Sequence, residues 1–397
     1  MKPGLLLLTQ RVPYPPTKGE KIRSWQMLQH FARDYAVHLG TLVDDPADRE
    51  HLPFVGSLCA SSYFAPLDRR RAKITCLAGL LTGAPLSVTF YQHRGLARWV
   101  LEALQRPDLA GIVVCSSNMA PYILSSRPPG GRCLVDLVDV DSEKWRAYAA
   151  QGSGPMRWVH RREWHRVAAL ESQIARECTW STFVSNDEAA LFRAQHPAAA
   201  GRIVAVSNGV DAAFFDPALP TIAPYDTARP TYVFTGTMDY PPNADAVTWF
   251  ATDMLPAIQR HTPAAQFVIV GSSPGSAVLA LATRPGVIVT GRVPDVRPYT
   301  AHATAIVAPM RIARGIQNKV LEGMAMARTV ILTPDALEGI DALPGQDVLL
   351  ADTAEAFVAH CLTPPDPAIG LAARRRVLSD YDWPARLAGF DPLLRSA

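Results

Sequence analysis

The stretch Arg311-Ile312-Ala313-Arg314-Gly315-Ile316-Gln317-Asn318-Lys319-Val320-Leu321-Glu322-Gly323-Met324-Ala325-Met326-Ala327-Arg328 decides how this chain is read. Just before it, Ala305-Ile306-Val307-Ala308 is an apolar run of strand character, ended by Pro309. The chain then passes Gly315 and enters a helix expected to begin near Asn318, with Val320, Leu321, Met324 and Met326 as core contacts. A helix start offers unpaired backbone N–H groups and the positive end of a dipole, which suits an anion. Arg311, Arg314 and Lys319 surround that start and can face a phosphate. Glu322 follows about one turn in, where a carboxylate can accept hydrogen bonds from a vicinal diol. A phosphate and a ribose together imply a nucleotide.

A chain of 397 residues exceeds one ordinary core, so two domains are expected. With 48% apolar and 19% charged residues, the composition is that of a water-soluble α/β protein. A net charge of +3 argues against nucleic acid as the main partner. The longest apolar run near the start, Leu5 to Leu8, is a short strand rather than the core of a signal peptide. No stretch approaches the roughly 20 apolar residues of a membrane span. Six cysteines show no C-x-x-C and no regular spacing, which points to reduced thiols in the cytoplasm.

In chain order, Leu5 to Thr9 reads as a buried first strand, followed by Pro13 to Glu20 and an amphipathic helix presenting Ile22, Trp25, Leu28 and Phe31. This is half of a nucleotide-type βα unit. It carries Gly19 but no G-x-G-x-x-G, so the dinucleotide fingerprint is absent. Gly19 either lets a ligand approach the backbone or is simply a turn glycine. Further strands are expected at Tyr35 to Leu42, Ser61 to Ala65, Gly111 to Cys115, Cys133 to Val138, Trp180 to Val184 and Arg202 to Val206. Helices are expected at Arg69 to Leu81, Gln92 to Leu104 and Trp158 to Cys178. Two strand ends are polar, Ser116-Ser117-Asn118 and Asp139-Val140-Asp141, and such ends line the ligand crevice of open α/β sheets.

Asp216 to Pro230 contains four prolines and no periodic pattern, and reads as a linker. A second α/β series follows, with strands at Tyr232 to Thr235, Gln266 to Val270, Val287 to Thr290, Thr329 to Leu332 and Asp347 to Leu350. Ala244 to Arg260 and Ala354 to His360 are its expected helices besides the one at Asn318. The expected division is therefore 1–215, a linker at 216–230, 231–380, and a terminal helix over 381–397 that packs back on the first domain. Strand–helix alternation in both halves implies parallel sheets covered on both faces. Two facing Rossmann-like domains would enclose a cleft.

Four motifs make this pattern specific: Asn208-Gly209-Val210-Asp211, Phe234-Thr235-Gly236-Thr237-Met238, Val270-Gly271 and Lys319-Val320-Leu321-Glu322-Gly323-Met324-Ala325. On these the chain resembles family 4 retaining glycosyltransferases of the GT-B fold over essentially its whole length. Pro13-Tyr14-Pro15-Pro16-Thr17-Lys18-Gly19 and Gly236-Thr237-Met238-Asp239-Tyr240-Pro241-Pro242-Asn243 look most like sugar transferases of exopolysaccharide loci associated with exosortase (PEP-CTERM) systems. The resemblance implies a nucleotide-diphosphate-sugar donor, a glycan or polyprenyl-linked acceptor, retention of configuration and no metal.

Many members carry two glutamates eight positions apart, one on the donor sugar and one on the ribose. Glu322 matches the second, and Arg314 stands at the first. A basic pair that usually follows the Gly236 position and grips the diphosphate is also missing, with Thr237 and the Pro241–Asn243 run in its place. Arg311, Arg314, Lys319 or Arg292 would supply that charge. The expected donor site thus comprises Glu322, Lys319, Asn318, Gly315, Arg314, Arg311, Arg292, Gly236 and Thr237, with Gly19 of the first half. The expected acceptor site comprises Lys18, Ser116, Ser117 and Asp139. A histidine common at the Ser116 position is absent, and no side-chain nucleophile is assigned.

Asp139-Val140-Asp141 also has the form of a D-x-D cation motif, but it sits before the linker and far along the chain from Glu322. An acceptor-binding or structural role fits it better. Arg157 to Arg166 and Arg69 to Lys73 mix cations with tryptophan, either as a solvated helix with buried tryptophans or as a peripheral contact with anionic headgroups. Two rival readings stand beside the transferase. A nucleotide-sugar epimerase would draw its acid and base from Asp139 and Asp141. A non-catalytic partner on the same fold would account for Arg314.

Overall fold

The computed structural model describes residues 2–16, 19–124, 132–151, 154–313 and 316–395. The chain divides into two compact units, Met1–Ser207 with Leu387–Ala397, and Asn208–Arg386. The units part ahead of the proline-rich run, because Val210 is already tied to the second unit by its N–H to the Tyr381 carbonyl at 2.7 Å. The end of the chain belongs to the first unit. It continues the Trp383–Leu387 helix through two short turns, Ala388–Phe390 and Asp391–Leu394. Gly389 and Pro392 weaken helical continuity there.

The first unit is built on strands β1 (Gly4–Thr9), β2 (Ala36–Val43), β3 (Ser61–Pro66), β4 (Leu109–Cys115), β5 (Cys133–Val138), β6 (Trp180–Phe183) and β7 (Ile203–Ala205). They form one seven-stranded sheet in the order β3-β2-β1-β4-β5-β6-β7. Every pairing is parallel. All six residues of β1 are buried, because helices cover both faces of the sheet and no strand face is left for polar alternation. Strand order reverses between β1 and β4, so the crevice of this unit lies at their carboxyl ends.

The Gly19–Asp34 helix does not bury a purely apolar face. Lys21, Arg23 and Ser24 are buried with Trp25, Met27, Leu28 and Phe31, whereas Ile22 is only partly covered. Two ion pairs account for this: Lys21 Nζ to Asp48 at 2.7 Å, and Arg23 Nε to Asp136 at 2.7 Å. Residues 69–82 also differ from one continuous helix. They form three short turns, Arg69–Thr75, Cys76–Ala78 and Gly79–Thr82. The helix expected from Gln92 begins at Arg94, where the His93 ring accepts from the Leu96 N–H at 3.2 Å. Asp141–Gln151 is a helix that periodicity missed, since its sequence presents no apolar face.

The second unit holds β8 (Thr231–Thr235), β9 (Gln266–Val270), β10 (Val287–Gly291), β11 (Ala305–Ala308), β12 (Val330–Leu332) and β13 (Leu349–Leu350). Their order is β10-β9-β8-β11-β12-β13, again all parallel, with the reversal between β8 and β11. Its core includes Phe234 on β8, Phe267 on β9 and Phe250 between them in sequence. The helical run after β8 is Pro241–Trp249, a π turn at Phe250–Met254, and Leu255–His261. Pro256 has no N–H to give the Thr252 carbonyl, and the wider turn absorbs that missing bond.

Candidate functional site

Both sheets end in polar loops at their reversal points, and the second unit carries the denser set of groups. The helix leaving β11 spans Asn318–Ala325 and buries Val320, Leu321, Met324 and Ala325. That apolar face fixes its rotation. Gly323 lets it lie close to the sheet, since a Cβ there would meet Ile306 at 3.0 Å and Val330 at 3.1 Å. The backbone carbonyl of Gln317 accepts from Val320 at 2.9 Å, and the Gln317 side chain does not cap the helix it precedes. A helix start of this kind suits an anion approaching Asn318 and Lys319.

Lys319 is buried. Its Nζ donates to Oε1 of Gln317 at 3.0 Å and stands 5.1 Å from the centre of the Phe234 ring. Phe234 and Thr235 end β8, so the ammonium sits at the carboxyl edge where β8 and β11 diverge. Burial pushes its pKa down to about 8, a shift that Glu322 partly offsets. Glu322 lies one turn further, half-buried, with the Thr235 hydroxyl donating to it. Desolvation raises the Glu322 carboxyl above its ordinary range, and Lys319 and Thr235 limit the rise. A lysine and a glutamate thus share one dehydrated corner, in position to hold an anion and a diol.

Gly236 and Gly271 shape the floor beside this corner. Gly236 donates its N–H to the Val270 carbonyl at 3.0 Å, and a Cβ on Gly271 would fall 1.6 Å from the Gly236 oxygen. The two strand ends touch because Gly271 lacks a side chain, and a Cβ on Gly236 would instead meet Asn243 at 2.7 Å. Asn243 is buried underneath, its Nδ2 donating to the Thr237 carbonyl at 2.9 Å. Its Oδ1 is buried without a partner. Thr237 is exposed at the rim, and so is Arg292 just past β10.

Arg311 lies beside the Pro241–Trp249 helix. Its Nε donates to Asp245 at 3.0 Å, its Nη2 pairs with the same carboxylate, and its guanidinium lies 5.1 Å from the centre of Trp249. The guanidinium rests on the Pro241–Trp249 helix in a half-exposed ion pair. Arg314 and Gly315, like Lys18, lie outside the described residues. Sequence reasoning missed Thr235, Phe234 and Asp245 as partners in this corner. Only Thr235 carried a signal, being a polar residue at the end of a buried strand.

In the first unit, Ser116 takes φ 80° at the end of β4, and Val138 takes φ 72° at the end of β5. A positive φ in a β-branched valine is strained, and such strain gathers at functional edges. Ser117 is buried and donates to Asp141 at 3.1 Å, so Asp141 belongs with the expected acceptor residues. Desolvation, with Glu188 and Asp141 close by, raises the Asp139 carboxyl to about 6. Gly19 opens its helix with free space where a Cβ would stand. Among the described residues no group of three or more His, Cys, Asp or Glu is arranged to hold a metal ion.

Two parallel sheets, each reversing strand order at a polar carboxyl edge, define a protein of the GT-B fold. Residues 229–363, within the second unit, match the family described as glycosyl transferases group 1. Solved structures agree on the fold. Sucrose-phosphate synthase from Thermosynechococcus elongatus superposes with a TM-score of 0.64 at 18% identity, covering 99% of this chain and 98% of its own. HepE of Anabaena, solved with UDP-glucose, gives 0.61 at 13% identity, with 99% of each chain covered. The α,α-trehalose 6-phosphate synthase of Burkholderia multivorans gives 0.61 at 12%, covering 100% of this chain and 98% of its own. No curated protein sequence matches the chain.

Proposed function

We propose that this glycosyltransferase takes its sugar from a nucleoside-diphosphate donor seated in the second unit. The observation that carries the reading is the Lys319–Glu322 corner beside Thr235, at the reversal point of the sheet. The diphosphate meets the Asn318 helix start and the Lys319 ammonium. The ribose diol donates to Glu322 in place of the Thr235 hydroxyl. Fixed cations and N–H dipoles of this kind stabilise charge as it builds on a leaving diphosphate. HepE, whose structure is solved with UDP-glucose, supports a donor of that class.

The acceptor is assigned to the first unit, along Ser116, Ser117 and Asp139, with Asp141 added by its bond to Ser117. The reading includes retention of configuration and a glycan or polyprenyl-linked acceptor in cell-surface or exopolysaccharide synthesis. It rests there on the motif resemblance at Pro13–Gly19 and Gly236–Asn243. Calorimetric titration with nucleotide sugars tests the donor site. Glu322→Ala removes a hydrogen-bonded charge and is expected to weaken binding about 10- to 100-fold. Wild-type protein that binds no nucleotide and no nucleotide sugar would refute the assignment.

A further inference from the structure

A second surface of the first unit is unlike the rest. From Arg69 to Leu101 the sequence contains Arg69, Arg70, Arg71, Lys73, Arg94 and Arg98 and not one acidic residue. Within the first three turns, Ile74, Leu77 and Leu80 recur every third residue and are exposed, Ile74 at 72%. That spacing keeps them on one face of a tight helical run. Asp68 engages Arg71, whereas Arg70 and Lys73 make no ion pair among the described residues.

The Gly154–Glu177 helix supports this run from behind. Arg162 donates to the carbonyls of Gly79 and Ala84, the latter at 3.0 Å, and Glu163 accepts from the Leu86 N–H at 2.7 Å. One turn back on the Arg162 side stands Trp158, exposed at 61%, and exposed Met156 lies two turns back on the Glu163 side. Arg157 and Arg161 flank the tryptophan, and no acidic residue occurs from Gln151 to Arg162. Two elements distant in sequence therefore bring aliphatic side chains, a tryptophan and unneutralised cations to one face. Water solvates the cations well and the exposed aliphatics poorly. An interface that is apolar within and negative at its rim satisfies both.

We propose that this face, built by residues 69–82 and the first turns of the Gly154–Glu177 helix, docks the protein on an anionic lipid bilayer. Ile74, Leu77, Leu80, Met156 and Trp158 enter the headgroup boundary, and Arg70, Lys73, Arg157 and Arg161 meet lipid phosphates. No helix among the described residues is long and apolar enough to cross a membrane, so the attachment is peripheral and reversible. A cavity of about 440 Å³ opens beside the face, lined by Thr75, Thr89, Gln92, His93, Arg94 and Asn118. Thr75 belongs to both, which brings that cavity to the level of the headgroups. The inference does not depend on the donor assignment, because none of these residues lies in the second unit.

Sedimentation of the full chain with sucrose-loaded vesicles tests it. Binding is expected to phosphatidylcholine vesicles containing phosphatidylglycerol and not to phosphatidylcholine alone, and it should weaken as salt is raised. Arg70→Glu with Lys73→Glu is expected to lower partitioning at least about tenfold. Ile74→Ser with Leu77→Ser should lower it on the same vesicles, and Trp158→Ala gives an independent loss from the second helix. These side chains are exposed, and unchanged circular dichroism and melting temperature verify that the variants fold. Equal binding to neutral and anionic vesicles, or variants that sediment like wild type, would overturn the proposal. So would a self-association of the wild type that the same substitutions abolish, which would assign the face to a second copy of the chain.

Discussion

Lys319 carries two opposing consequences of burial. Its folded pKa of about 8 lies below the ordinary 10.5 because the ammonium has left water. Below pH 8 the folded protein bears the cost of that buried charge. Between about pH 8 and 10.5 the folded state releases the proton while the unfolded chain keeps it, so this residue adds stability as pH rises through that window. In the proposed donor site the ammonium holds the phosphate, so affinity for a nucleoside diphosphate should fall over the same range. Melting curves and titrations with UDP at about pH 7 and about pH 9 should therefore move in opposite directions. Lys319→Met should flatten both responses. A ligand-free melting temperature whose pH dependence above 8 is unaffected by Lys319→Met would show that the lysine is not dehydrated in solution. The glycine pair at Gly236 and Gly271 was readable as motif letters, but not as two backbones in contact, because sequence does not state distance.

At the scale of the element, the Gly19–Asp34 helix shows where local pattern fails. Apolar spacing found Trp25, Leu28 and Phe31, and missed that Arg23 points inward. Arg23 Nε and Nη2 hold the two oxygens of Asp136, 113 residues away, at 2.7 and 2.8 Å, and Nη2 also donates to the Val206 carbonyl at 2.9 Å. Thr182 donates to the same carboxylate at 2.8 Å. Removing one partner leaves a buried charge uncompensated. Arg23→Ala should cost about 3–5 kcal/mol in urea denaturation, while the double variant Arg23→Met, Asp136→Leu should recover much of the loss. A single variant as stable as wild type would mean that solvent reaches Asp136. Strands were the easier elements to read. Leu5 to Leu8, Ile112 to Cys115 and Ala305 to Ala308 are continuous apolar runs because both faces of a parallel sheet are covered. The strand expected at Asp347 to Leu350 is shorter, with β13 only Leu349–Leu350.

For the whole molecule, the path of the chain matters more than any one element. After building the second unit the chain returns, and Leu387 onward completes the first. Phe390 packs edge-on to Phe31 with ring centres 5.9 Å apart, His30 and Asp391 are 2.7 Å apart, and Leu394 lies where a side chain on Gly111 would reach. Ending the chain after Arg386 should lower the calorimetric transition of the first unit and leave that of the second in place. Phe390→Ala alone should cost the first unit about 3–5 kcal/mol. A truncated chain whose transitions match those of the full chain would show that the return segment adds nothing to the core.

The sequence by itself determined the two α/β halves, the proline-rich run between them, and the helix that brings Lys319 and Glu322 to a strand end. These follow from periodicity, turn residues and spacing, which act over a few residues. Tertiary structure alone decided which charges are spoken for. It pairs Arg311 with Asp245, hides Arg23 on Asp136, dehydrates Lys319 over Phe234, and leaves Ile74, Leu77 and Trp158 exposed. Each of these depends on partners brought together by sheet topology, and the energy of a charge is set by the dielectric and the counter-charges around it rather than by its neighbours in the chain.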